Sequence, residues 1–182
     1  MDLADSRGNL KHRDRLYQGK IVDLVVDQIE LGGQRYVREV VRHPGGVVVI
    51  GRTAEGKIPF VRQHRYPMNA ELLELPAGKI DPGEDPIVSA GRELEEETGY
   101  RAPRLDLVYR FYSSPGFCDE LLHLYYAVDL ERTAPRREVD EIVIVEEYSL
   151  SEALQLLDKG DLQDAKTIVA ILWLAQRDSG SQ

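Results

Sequence analysis

Four glutamates and an arginine, Glu84, Arg92, Glu93, Glu96 and Glu97, fall in the stretch Gly78 to Tyr100, which reads GKIDPGEDPIVSAGRELEEETGY. Carboxylates in that density suit a hard divalent cation. Mg²⁺ prefers such oxygens, keeps several of its waters and commonly bridges protein to phosphate. Helix geometry would bring three of them together. At about 100° per residue, Glu93, Glu96 and Glu97 gather on an arc of about 100°, away from a stripe of Ile87, Ala90, Gly91, Leu94 and Thr98 that can pack. For stability alone this is a poor arrangement. Glu93 and Glu97 are like charges at i, i+4, which costs about 0.2–0.5 kcal/mol, and Glu95 to Glu97 crowd the negative end of the helix dipole. A cation has to offset them: either Arg92 and other arginines over a solvated acidic face, or a bound metal ion.

The elements that must position these groups are legible around them. Asp85 suits the N-cap of the helix, Pro86 its first position and Gly99 the residue just past its end, so it runs about three turns. Residues 47–50 and 58–61 read as strands around a turn at Gly56. In FVRQHRYP, alternation puts Arg62 and His64 on one face and Arg65 on the other. Residues 72–75 lead as a strand into Pro76-Ala77-Gly78, where a kinked backbone can present a carbonyl to a metal. Beyond the helix come a strand at 105–112, a turn at Pro115-Gly116 with Glu120 at its end, and a strand at 121–130. A charged loop at 132–140 and a strand at 142–145 follow. Helices are expected at 151–157 and 165–174, capped by Ser149 or Ser151 and by Asp164, with Trp173 in the core. His123 reads as an ordinary strand residue. At the N-terminus, residues 1–15 are polar and expected to fray. Residues 21–31 and 36–41 flank Gly32-Gly33 as a β-hairpin. A lone hairpin is marginal, so it must pack on its own domain or on a partner's, and a partner is favoured.

At 182 residues the chain can bury one full core. A formal net charge of −9 argues against non-specific attraction to nucleic acid. No apolar run reaches the length of a membrane span, and MDLADSRGNLKHRDR lacks the apolar core of a secretory signal, so a cytoplasmic protein without membrane partners is expected. Cys118 is the only cysteine, which agrees with a reducing compartment and reads as a small semi-buried side chain.

The spacing narrows the function. Gly78, five residues, Glu84, seven residues, Arg92-Glu93, Leu94, one residue, Glu96-Glu97, one residue, Gly99 and Tyr100 resembles the signature of the Nudix hydrolases at every fixed position. Ordinary residue frequencies would produce that match in a chain this long on the order of once in 10⁷. The resemblance implies an α+β fold: the Nudix α/β/α sandwich with a mixed β-sheet, here residues 44–182, plus a small N-terminal antiparallel β subdomain, residues 1–43. Pro115, 15 residues after Tyr100, together with REVVRHPG, VRQHRYP and LELPAG, resembles the ADP-ribose pyrophosphatases, and the likeness runs from about Tyr17 to Gln176.

Carried over by residue, the resemblance implies Mg²⁺, with Mn²⁺ as a substitute, held by Glu93, Glu97 and the carbonyl of Ala77, with Glu96 contributing directly or through water. Arg92 would orient the carboxylates. Arg38 and Glu39 would reach the active site of a homodimer partner through exchanged N-terminal β elements, and Arg65 and Glu120 would line the substrate pocket. The family's base sits on the late acidic loop, among Glu138, Asp140 and Glu141; Glu141 is chosen for its place just before a strand. Ile21 stands where some relatives stack an aromatic ring on adenine. The implied reaction is hydrolysis of ADP-ribose to AMP and ribose 5-phosphate. The alternatives are the same chemistry on another nucleoside diphosphate sugar, such as GDP-mannose, or a non-catalytic nucleotide sensor. Sensors typically lose signature glutamates, and all four are present here.

Overall fold

The structure, a computed structural model, describes residues 8–133 and 143–180. It divides into two units: Met1–Gly45 with Tyr112–Leu121, and Gly46–Phe111 with Leu122–Gln182.

In the first unit, β1 (Asn9–Gln18), β2 (Asp23–Leu31) and β3 (Gln34–Arg42) form an antiparallel sheet in the order β1-β2-β3. Gly32 and Gly33 take φ of 58° and 76°, the left-handed pair that a two-residue hairpin turn requires. The expected fraying of residues 1–15 does not hold from Asn9 onward. β1 is exposed at every position, and its backbone pairs with β2 while ion pairs tie it across the strands. Arg13 donates to Asp27 at 2.6 and 2.7 Å, and Lys11 stands 3.5 Å from Glu30. A strand held in this way needs no apolar alternation, so periodicity misses it. The segment 112–121 joins this unit through Val41, whose N–H donates to Phe117 at 2.8 Å, and through Arg42, which donates to Asp119 at 2.8 Å.

The second unit contains β4 (Gly46–Gly51), β5 (Ile58–Arg65), β6 (Ala70–Glu74), β7 (Ala77–Lys79), α1 (Pro86–Thr98), β8 (Tyr100–Arg101) and β9 (Arg104–Tyr112). It continues with β10 (Leu121–Val128), β11 (Glu131–Arg132), β12 (Ile144–Tyr148), α2 (Leu150–Lys159) and α3 (Ala165–Ser179). One sheet runs β7-β4-β10-β9 and is mixed, since β4 pairs parallel with β10 and antiparallel with β7. A second, antiparallel sheet runs β12-β5-β6, and β11 pairs with β8. β4 is buried along its whole length because both of its faces are covered. Val47 and Val49 pack with Ala90 and Leu94 of α1 and with Tyr125. Val48 and Ile50 pack with Ile58, Phe60, Leu124 and, from α3, Ala170, Ile171 and Leu174. β10 stops at Val128, short of the expected 130, because Asp129 takes a left-handed φ of 56°. Trp173 packs against the core, and His123 is buried in β10.

Candidate active site

The ends of α1 fix the helix that carries Arg92, Glu93, Glu96 and Glu97. The carboxylate of Asp85 accepts from the N–H of Ile87 at 3.1 Å, and Gly99, at φ 69°, donates its N–H to Glu95 at 2.9 Å. The buried side of the helix is Ser89, Ala90, Leu94, Glu97 and Thr98, which is not quite the expected stripe. Ile87 is 42% exposed, while Ser89 is fully buried and donates from Oγ to Glu84 at 2.6 Å. That bond folds the loop before the helix over Ser89, which lies about 200° round the helix from Ile87 and outside the apolar stripe.

Glu97 is also turned inward, and its Oε2 accepts from the backbone N–H of Ala77 at 2.9 Å. The backbone it meets is pinned from two sides. Pro76 accepts from the N–H of Val49 at 2.9 Å, and the N–H of Leu75 donates to Thr167 Oγ1 of α3 at 2.9 Å. Ala77 and Gly78 then pair with Val48 and Val47 as part of β7. Gly78 is where the helix comes closest. A Cβ there would stand 2.0 Å from the Glu93 carboxyl carbon and 2.1 and 2.4 Å from its oxygens. Only glycine leaves room for that carboxylate against the strand.

Arg92 spans the acidic groups. Its Nη1 donates to Glu93 at 2.8 Å and Glu96 at 3.1 Å, and Nη2 and Nε donate to Glu84 at 3.1 and 3.3 Å. The Arg92 hydrogen bond, reinforced by Ser89, lowers the Glu84 carboxyl to about 2, and the same bond, with Glu93 and Glu96, raises Arg92. Among the described residues no three His, Cys, Asp or Glu side chains converge on one point as they stand. The donor set nevertheless fits a hard divalent cation: Glu93, Glu96 and Glu97 offer only oxygen, and Glu93 sits in a cradle that a methyl group would fill.

Arg65 ends β5 and is half-buried. Its Nε and Nη2 both donate to Glu74 at 2.7 Å, and Glu74 is 1% exposed. Arg62 pairs with Glu146 of β12 in the same two-armed way. The buried polar residues Glu74, Ser89 and Thr167 escape sequence reasoning. Only Glu74 leaves a trace, as the one charge between Leu73 and Leu75. A carboxylate in that position has to be paired.

Glu138, Asp140 and Glu141 lie outside the described residues. The chain leading toward them is anchored to the end of α1: the N–H of Thr133 donates to Gly99 at 2.8 Å. On either side of that segment, Arg132 donates to Glu147 at 2.9 Å and to the Tyr100 hydroxyl at 3.0 Å, and that hydroxyl donates to Glu147 at 2.7 Å. Arg38, Glu39, Ile21 and Glu120 belong to the first unit. Arg38 and Glu39 are exposed neighbours on β3, with Arg38 lying 5.5 Å over the Tyr36 ring, and Glu120 is 3.5 Å from Nδ1 of His43.

A fold with a carboxylate-rich helix laid over the edge of a mixed sheet has known relatives. Residues 42–170 match the family model described as NUDIX domain, and the chain belongs to the Nudix family, allied within it to the ADP-ribose pyrophosphatases. It is 44% identical to the ADP-ribose pyrophosphatase of Bacillus subtilis (strain 168) over 170 residues, 92% of each chain. It is also 44% identical to the methanol dehydrogenase activator of Bacillus methanolicus over 169 residues, 91% of each. A crystal structure described as an ADP compounds hydrolase superposes with a TM-score of 0.83, covering 96% of this chain and 95% of that one. At 20% identity that likeness is one of fold, and it agrees with the α+β Nudix architecture.

Proposed function

We propose that this chain hydrolyses the diphosphate bond of ADP-ribose to AMP and ribose 5-phosphate, with Mg²⁺ as cofactor and Mn²⁺ as a substitute. The observation that carries the reading is Glu93 seated against Gly78, beside Glu96 and Glu97 on one helix. Similarity to the B. subtilis pyrophosphatase supports the choice of substrate. Glu93, Glu96 and Glu97, with the carbonyl of Ala77, would hold the cation, and Arg92 keeps Glu93 and Glu96 in register. When bound, the cation neutralises the diphosphate and lowers the pKa of the attacking water. Glu141 accepts a proton from that water as its oxygen bonds to one phosphorus; Asp140 and Glu138 are the alternatives. The bond from that phosphorus to the bridging oxygen breaks, and its electron pair leaves with the other phosphate. Arg65 and Glu120 contact the substrate.

The reading includes a homodimer in which residues 1–43 are exchanged, so that Arg38 and Glu39 serve the partner's site, while residues 44–182 form the hydrolase domain. Exposed Leu10, Leu16, Tyr17 and Val37 on the three-stranded sheet support it. A sheet of that size rarely stands with so much apolar surface uncovered. A cytoplasmic location is part of the same reading, supported by the single cysteine; among the described residues no helix is long and apolar enough to cross a membrane.

The test is phosphate-product release from ADP-ribose, GDP-mannose, ADP-glucose and diadenosine polyphosphates, with Mg²⁺ and with a chelator. Metal-dependent turnover highest on ADP-ribose is expected. A different best substrate replaces ADP-ribose and keeps the chemistry; binding without turnover makes the chain a sensor. The equal identity to the B. methanolicus protein supports a second reading, in which a dehydrogenase gains activity when this chain is added.

A further inference from the structure

A buried ionic chain joins β5, β6 and α3. Glu74, 1% exposed, receives both Nε and Nη2 of Arg65, and Lys166 Nζ closes on its Oε2. Lys166 lies 2.9 Å from Asp164, the N-cap of α3, whose carboxylate also accepts from Thr167 N–H at 3.0 Å and Thr167 Oγ1 at 2.6 Å. Burial alone would push the Glu74 carboxyl up, but the Arg65 hydrogen bonds and Lys166 outweigh it, so it stays ionised. With two cations and two carboxylates, the quartet is formally neutral. Replacing such a group by well-packed apolar residues is often neutral or stabilising, so its presence is weak evidence for a purely stabilising role.

The direction in which Arg65 is held supplies one. The Glu74 pair uses Nε and Nη2, which leaves Nη1 outside it, and the Arg65 side chain remains 36% exposed. Glu97 of the proposed metal site accepts from the N–H of Ala77, three residues on from Glu74, and its charge helps to raise Arg65. A two-armed pair fixes the plane of a guanidinium as well as its position. We propose that Glu74, braced by Lys166, is a positioning residue: it locks Arg65 so that Nη1, the guanidinium arm outside that pair, is presented to the substrate diphosphate beside Glu97. This rests on the hydrolase reading above and adds the residues that aim its phosphate contact.

Glu74→Gln makes the quartet more positive by one. If Glu74 matters only through its charge, an anionic substrate should bind more tightly. If it positions Arg65, KM for ADP-ribose rises about tenfold while the kcat change stays smaller, because a ground-state contact has been misdirected. Lys166→Met loosens the brace without unpairing Arg65, and a KM rise of about threefold is expected from partial loss of the same coupling. Both effects disappear in an Arg65→Ala background, since a residue acting through Arg65 has nothing left to aim. Thermal melting accompanies each variant, and Lys166→Met carries the test if Glu74→Gln fails to fold. Calorimetric titration with ADP and Mg²⁺ repeats the cycle without turnover. A wild type that binds ADP but hydrolyses nothing therefore sinks the hydrolase reading and leaves the positioning of Arg65 still measurable. A KM at or below wild type in Glu74→Gln, or an undiminished effect of Lys166→Met without Arg65, overturns the proposal.

Discussion

Replacing Gly78 by alanine separates the chemistry of the site from the stability of the fold. The added Cβ would lie 2.0 Å from the Glu93 carboxyl carbon, whereas ordinary contact begins near 3.4 Å, so the carboxylate has to recede by about 1.4 Å. Gly78 is not among the glycines with positive φ, and alanine can hold its backbone without strain. The displaced group is the far end of a flexible side chain, so the structural cost is small. A stability change within about 0.5 kcal/mol, or about 2 °C in Tm for a chain of this length, is expected. The catalytic cost is not small. Ligand distances at a metal tolerate only about 0.2 Å, and a reacting group misplaced by about 1 Å loses about 10²-fold in rate. The assay is kcat/KM on ADP-ribose against Mg²⁺ concentration, with melting curves in parallel. The expected result is a fall of about 10²-fold in kcat/KM with Tm unchanged and a higher Mg²⁺ requirement. Wild-type turnover with wild-type melting would refute the assignment of Glu93, and a collapse in Tm would refute the claim that the clash is confined to one side chain.

Glu97→Gln keeps an oxygen to accept the Ala77 N–H and so keeps the fold, but it removes a charged metal ligand. A kcat loss of at least about 10²-fold is expected in steady-state assays, and near-native turnover would remove Glu97 from the metal set. Glu84 gives a pH test. Its folded-state pKa, lowered to about 2 from the ordinary 4.5 by Arg92 and Ser89, contributes stability that is complete above about 4.5 and lost as pH falls toward 2. Glu84→Gln should therefore melt earlier than wild type at pH 7, with the gap closing between pH 4.5 and 2; a constant gap across that window would contradict the pairing. Leu16→Lys in β1 should reduce a dimer to monomer in light scattering and lower activity with it, and an unchanged mass would count against the exchanged sheet.

The parts of the site that are local in sequence are legible in it. Asp85, Pro86 and Gly99 define α1 without help from the rest of the chain, and the glutamate spacing follows once the helix is drawn. Legibility ends where a residue's role depends on something distant. Serine at 89 reads as surface until Glu84 folds back onto it. Glu74 reads as the polar turn of an alternating strand, yet it is buried because Arg65 and Lys166 come to it from two other elements. β1 is hidden for the opposite reason, since its pairing is carried by backbone and ion pairs that leave no apolar period. Ile87 fails because helical periodicity gives a direction and not the extent of the surface the helix covers.

The bond from Leu75 to Thr167 spans 92 residues, and β4 finds its parallel neighbour β10 only some seventy residues downstream. At synthesis rates of about 5–20 residues per second, α1 precedes α3 by roughly 3–13 s. During that interval the signature helix can form, but the backbone it must grip is held only from the β4 side and lacks the anchor from Thr167. The run Gly46–Gly51, wholly buried in the finished fold, meanwhile waits without β10 as an uncharged, β-branched segment. Solubility during synthesis is thus set less by the acidic surface of the finished protein than by how soon β10 and then α3 arrive to cover that strand.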